Sequence, residues 1–178
     1  MLAGREMEKR KQTIMLMTEP HTVCNKIAGM PKGTKLVYAR SAGTGTKPRA
    51  AIMASIDTNL TAMDSWCNED CAVALIRIRG TQTLVVSLYL DINKEVQPDW
   101  LDRLMGMADS KQLPIIMGID SNAHSTLFGP DNNSRGNAFE DFVIQYGLNV
   151  ENMGTTPTFE TKRGDKIIRT HIDVTLRT

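Results

Sequence analysis

The stretch Gly118-Ile119-Asp120-Ser121-Asn122-Ala123-His124-Ser125 constrains this chain more than any other part of it. It follows the apolar run Leu113-Pro114-Ile115-Ile116-Met117. A run of that length, bounded by turn formers, is too short for a helix and reads as a buried strand. The strand then ends in a carboxylate, an amide and an imidazole, each two residues apart. Alternate residues of an extended chain share one face, so Asp120, Asn122 and His124 are expected to project the same way. Polar groups at the end of a buried strand cost stability unless they are paired or bound. Such a trio marks a place where chemistry is done.

The rest of the chain supplies the scaffold. Residues 3 to 11 are rich in helix formers and read as a short helix. Thr13-Ile14-Met15-Leu16-Met17 reads as a buried strand stopped by Glu19-Pro20, and residues 21 to 34 read as irregular. Lys35 to Ala39 and Ala50 to Ala54 are further strands, separated by a Gly/Thr loop from Ser41 to Pro48. That loop has no Walker spacing and no helix after it, so it is not a phosphate loop. Cys71 to Arg79 and Thr83 to Leu90 form a hairpin around Gly80-Thr81-Gln82. Trp100, Leu101, Leu104, Met105 and Ala108 recur at helical spacing, which predicts a helix over 99–109. A second helix spans Ser134 to Tyr146 and stops at Gly147. Leu148 to Val150, Pro157 to Phe159 and Ile172 to Leu176 close the list of strands. Strand pairs, hairpins and three helices suit an α+β sandwich with helices covering two packed sheets.

Bulk properties narrow the function classes. The 178 residues suit a single domain over 1–178, and 41% apolar content suits a folded one. A net charge of +1 implies neither a nucleic-acid nor a membrane partner by composition. No apolar run reaches the roughly 18 residues that span a bilayer. The charged segment from Met1 to Gln12 has no apolar core of a secretory signal. Cys24, Cys67 and Cys71 are odd in number and irregular in spacing, so they read as thiols of a reducing compartment.

Glu19, Tyr89, Asp120 with Asn122, and Asp173 all lie at strand ends. If such ends converge in one cleft they suit a hard cation such as Mg²⁺, which needs only one or two carboxylates. Five segments occur in a characteristic order: Thr18-Glu19-Pro20, Ser87-Leu88-Tyr89-Leu90, Gly118 to Ser125, Thr156-Pro157-Thr158-Phe159, and His171-Ile172-Asp173-Val174-Thr175-Leu176. Together they resemble the endonuclease/exonuclease/phosphatase superfamily. The Asn-Ala-His-Ser tetrad, Asn133-Ser134-Arg135-Gly136 and the Ile172 to Leu176 strand resemble its apurinic/apyrimidinic-type endonuclease branch from non-LTR retrotransposons. The resemblance runs over about residues 12 to 176.

The resemblance implies a four-layered αββα sandwich of the DNase I type and Mg²⁺-dependent phosphodiester hydrolysis, with Mn²⁺ as an alternative ion. It implies that Glu19 binds the metal, although Thr18 replaces the usual Gln before it. Tyr89 would sit near the scissile phosphate. Asp120 would orient or deprotonate water, Asn122 would hold the phosphate, and Asp173 would orient a catalytic histidine. His124 is a candidate substrate contact. The implied partner is DNA, with no membrane association, a monomeric state and an intracellular location, nuclear for genomic DNA. Lys162, Arg163, Lys166 and Arg169, read as one loop, are candidates for phosphate contacts.

Two family parts are not found: the first strand, with its Asn, and the last, with its Ser-Asp-His motif. Members of a catalytic unit act together, so such a loss is severe. The alternatives to an active nuclease are therefore a dead remnant that at most binds nucleic acid, and a phosphatase of the same fold.

Overall fold

The computed structural model describes residues 13–38, 46–152 and 156–178. The helix expected over 3–11, Ala39, and Ser41 to Gly45 of the Gly/Thr loop lie outside them. The chain divides into two compact units, Met1–Tyr89 and Leu90–Thr178.

The first unit is built from antiparallel strands. β1 (Ile14–Thr18) and β4 (Thr34–Val37) flank β5 (Ala50–Ser55). A central strand is covered on all sides, and Ala50, Ala51, Ile52 and Ala54 are fully buried. Between β1 and β4, where irregular chain was expected, lies a small ribbon of β2 (Thr22–Val23) and β3 (Lys26–Ile27). Its turn, Cys24-Asn25, has positive φ at both residues. β6 (Leu60–Ala62), β7 (Cys71–Ile78) and β8 (Thr81–Tyr89) make a second antiparallel set. The β7–β8 turn is Arg79-Gly80 rather than Gly80 to Gln82. Both of its residues have positive φ, as a two-residue hairpin turn with the strands' twist requires. β5 packs on β7 and β8, and β1 packs on β8. Leu84, Val86 and Leu88 of β8 and Val73 of β7 are fully buried there. Ser87 Oγ donates to the Met17 carbonyl at 2.8 Å, which ties β8 to β1.

The second unit orders its strands β10-β13-β9, with β9 (Ile115–Asp120), β10 (Asn149–Val150) and β13 (Asp173–Arg177) antiparallel. α1 (Asp99–Ser110) buries Leu101, Leu104, Met105 and Ala108 of the stripe its spacing predicts, and leaves Trp100 half-buried. α2 (Ser134–Gln145) buries Gly136, Phe139, Phe142 and Val143. Phe139 packs edge-on against Phe128, with ring centroids 5.6 Å apart. β11 (Phe159–Arg163) and β12 (Lys166–Thr170) form a separate two-stranded hairpin. This corrects the expectation of a basic loop: Lys162, Lys166 and Arg169 sit in paired strands. Among the described residues, no helix is long and apolar enough to cross a membrane.

Candidate active site

The candidate residues fall into two clusters, one in each unit. In the first, β1 ends at Thr18 and the chain turns sharply at Glu19, whose φ is +47°. The Glu19 N–H donates to the Arg49 carbonyl at 2.7 Å, and its side chain is exposed. Arg49 heads the segment that enters β5. Its guanidinium carbon lies 4.6 Å from the centre of the Tyr89 ring, a cation–π contact. The same guanidinium makes a two-pronged bond to Asp70, with Nε at 2.5 Å from Oδ1 and Nη2 at 2.8 Å from Oδ2. Asp70 is only 7% exposed. Its carbonyl accepts the Tyr89 N–H at 2.8 Å. Glu19 and Tyr89 are thus both anchored through Arg49 and Asp70. Neither anchor stood out in the sequence.

The second cluster closes the strand ends of β9 and β13. Asp120, the last residue of β9, is 7% exposed and pairs in register with Asp173, the first of β13. Residues directly opposite in an antiparallel pair have their Cβ atoms about 4.5–5.5 Å apart, and like charges there repel. The register alone therefore brings these two carboxylates to the same edge of the sheet.

The extended-chain expectation fails just beyond Asp120. Asn122 has φ +46°, so the chain bends and the trio does not share one strand face. Asp120 Oδ1 accepts the Asn122 N–H at 3.2 Å. This is the local carboxylate turn that lets a strand stop abruptly. The Asn122 amide reaches back to the Leu90 carbonyl at 3.2 Å. Ser121 is fully buried, and its N–H and hydroxyl both donate to the Ile172 carbonyl at 2.8 Å. Thr158 Oγ1 accepts the Ile172 and Asp173 N–H groups at 3.0 and 3.1 Å.

His124 enters this cluster by its backbone. Its carbonyl accepts the Asn133 N–H at 3.1 Å, and its side chain is half-buried. Asn133 caps α2, with Oδ1 accepting the Gly136 N–H at 2.7 Å. Arg135, inside a quoted motif but not assigned a role, is the second omission of the sequence reading. It donates to four backbone carbonyls, those of Leu90, Asp91, Lys94 and Ser121.

On the hairpin, Arg169 Nε is 2.7 Å from Glu160 Oε2, and Lys162 and Lys166 are exposed. Elsewhere, burial pushes the Cys71 thiol well above its usual range and Cys67 above it. Both are therefore held as thiols, and Cys71 is the buried one of the two.

Among the described residues, no group of three or more His, Cys, Asp or Glu side chains forms a ready-made metal cage. A magnesium site does not need one, because that ion keeps several waters and takes one or two carboxylates. The exposed Glu19 carboxylate, a hard oxygen donor, fits such an ion in kind.

Residues 83–178, more than half of the chain, match the endonuclease-reverse transcriptase family. The chain belongs to that family. No curated protein matches the sequence. Among solved structures, the endonuclease domain of TRAS1, a telomere-specific non-LTR retrotransposon, is 29% identical, with a TM-score of 0.80 over 98% of this chain and 76% of that one. An endonuclease/exonuclease/phosphatase family protein from Leptotrichia buccalis is 13% identical, with a TM-score of 0.61 over 99% of this chain and 79% of that one. A mannosyl-6-phosphatase from Bacteroides thetaiotaomicron is 15% identical, with a TM-score of 0.54 over 83% of this chain and 64% of that one. The last two show the fold alone. The α+β, DNase I-like fold of this endonuclease-reverse transcriptase family member, and its likeness to a retrotransposon endonuclease domain, agree with the reading from its motifs.

Proposed function

We propose that this chain is a retrotransposon-type endonuclease domain that hydrolyses phosphodiester bonds in DNA with Mg²⁺, or with Mn²⁺ in its place. The observation that carries the reading is the pairing of Asp120 with Asp173 at adjoining strand ends, beside the bent Asn122. That arrangement brings two carboxylates to one sheet edge, which suits a site that needs concentrated negative charge. Glu19 would hold the ion, and the bound ion supplies Lewis-acid neutralisation of charge on the phosphate. An ionised Asp120 is an acceptor only, so it orients the attacking water and takes its proton. One Asn122 amide hydrogen goes to Leu90 and the second is available for a phosphate oxygen. The Tyr89 hydroxyl donates to the phosphate, with its ring steadied by Arg49. Asp173 would orient a catalytic histidine, and His124 contacts substrate. Lys162 and Lys166 on the hairpin contact DNA phosphates nonspecifically. The protein acts as a monomer inside the cell, in the nucleus when its substrate is genomic DNA.

The test is conversion of supercoiled plasmid to open circles with Mg²⁺, beside Asp120→Ala and a chelated control. The parent chain is expected to nick and both controls to stay at background. A parent rate no faster than Asp120→Ala sinks the proposal. Phosphate release from small phosphomonoesters without nicking would move the assignment to a phosphatase.

A further inference from the structure

We infer that Arg135 is a positioning residue that sets the Asn122 turn through the donors of its guanidinium. The inference rests on the reading of Asp120 and Asn122 as site residues. Arg135 is half-buried at the second position of α2. A cation there opposes the helix dipole, which favours acids in the first turn, and this first turn contains no acid. The helix therefore gains nothing from the arginine, and its contacts lie elsewhere. Nε donates to the Ser121 carbonyl at 3.1 Å, immediately before Asn122. Nη2 donates to the Leu90 carbonyl at 3.1 Å, the same oxygen that accepts the Asn122 amide at 3.2 Å. Nη2 also reaches the Asp91 carbonyl at 3.0 Å, and Nη1 reaches the Lys94 carbonyl at 2.7 Å.

The guanidinium thus grips the backbone on one side of Asn122 and the acceptor of its side chain on the other. Asn122 is held in a conformation that residues with a Cβ seldom adopt. Asparagine enters this region more readily than other residues with a Cβ, and the bonds around Asn122 fix the choice. The frame that carries Arg135 is itself rigid. A Cβ on Gly136 would lie 1.7 Å from the His124 carbonyl oxygen, so α2 begins in direct contact with the backbone two residues past Asn122. Lysine would supply the charge as a point, without a planar fork that spans four carbonyls.

The experiment compares Arg135→Lys and Arg135→Ala with the full parent chain. Both variants are expected to melt cooperatively. Arg135→Lys should lose about 10²-fold in kcat for plasmid nicking with KM held, the cost of a small misplacement of a reacting group. Guanidinium at sub-denaturing concentration should restore Arg135→Ala, and tetramethylammonium, which has charge but no donors, should not. The side-chain amide resonances of Asn122 should shift in Arg135→Ala and return with guanidinium. Full activity in a folded Arg135→Lys, equal rescue by both cations, or loss of cooperative folding in both variants would each overturn the inference. If the parent chain does not nick, the proposed function fails, and the Asn122 resonances decide the positioning role. Resonances unmoved by the Arg135→Ala substitution then reject it.

Discussion

Arg49 in the first unit and Arg135 in the second each stand beside candidate site residues, and they bind different partners. Arg49 meets a carboxylate, Asp70, that is almost out of solvent, and covers the face of Tyr89. Arg135 donates to backbone carbonyls on the segments around Asn122. Removing the first strands a charge. Removing the second takes donors away from backbone dipoles, those of buried Ser121 and Leu90 among them, and strands no carboxylate among these partners. The same side chain should therefore govern stability in one cluster and geometry in the other.

The largest test of that contrast is Arg49→Ala. It leaves Asp70 charged and desolvated, and breaking a buried pair at one partner costs about 3–5 kcal/mol. Arg49 is itself a quarter exposed, at 25%, so the expected loss is at the lower end, about 3 kcal/mol in urea unfolding. Asp70→Leu combined with Arg49→Met should recover most of it, because a well-packed apolar pair often replaces a buried ion pair at little cost. The double variant should still nick poorly, since Tyr89 has lost the cation over its ring. A single Arg49→Ala variant as stable as the parent would break the comparison.

Gly136→Ala tests the other side. The added Cβ meets backbone, the His124 carbonyl oxygen at 1.7 Å, and also Asn132 Oδ1 at 2.5 Å. Overpacking costs about 1–3 kcal/mol, and a backbone clash belongs at the upper end. Relief requires α2 to move away from His124, which carries Arg135 off its carbonyls. Nicking should fall further than the stability loss explains, as measured by rate and thermal midpoint together. An alanine variant that melts lower but nicks normally would uncouple α2 from the Asn122 turn.

The contrast also explains what was legible in the sequence. The elements around Asp120 and Asp173 are readable because short apolar runs between turn formers have few other uses; β13 lies within one residue of its expected limits and β9 within three. The two helices were readable from their buried stripes, Leu101-Leu104-Met105-Ala108 above all. The bend at Asn122 is not, because alternation assumes a strand that continues, and the bonds that stop it, from Asp120 to the Asn122 N–H and from Arg135 to the Ser121 carbonyl, leave no periodic signal. Arg49 and Asp70 are 21 residues apart with no local pattern between them, so their bond belongs to tertiary structure alone. The hairpin of β11 and β12 was read as a loop because its strands lack a buried face. Phe159, Ile167 and Ile168 are all exposed among the basic residues. Pairing without burial leaves no hydrophobic alternation to find.

That same hairpin provides the smallest expected effect and the control for the first. Arg169 and Glu160 also form an ion pair through Nε, at 2.7 Å from the carboxylate. Their side chains are 59% and 55% exposed, against 25% and 10% for Arg49 and Asp70. In high dielectric the attraction barely exceeds the entropy of holding two long side chains, and exposed pairs contribute about 0.2–1 kcal/mol. Arg169→Ala should therefore change unfolding free energy by about 0.5 kcal/mol or less, an effect that fades further in salt. If the hairpin touches DNA, the same variant should weaken plasmid binding and reduce its salt dependence while leaving stability almost unchanged. A stability loss matching that of Arg49→Ala would mean that burial does not separate these two pairs, and the charge-stranding account of Arg49 would fall with it.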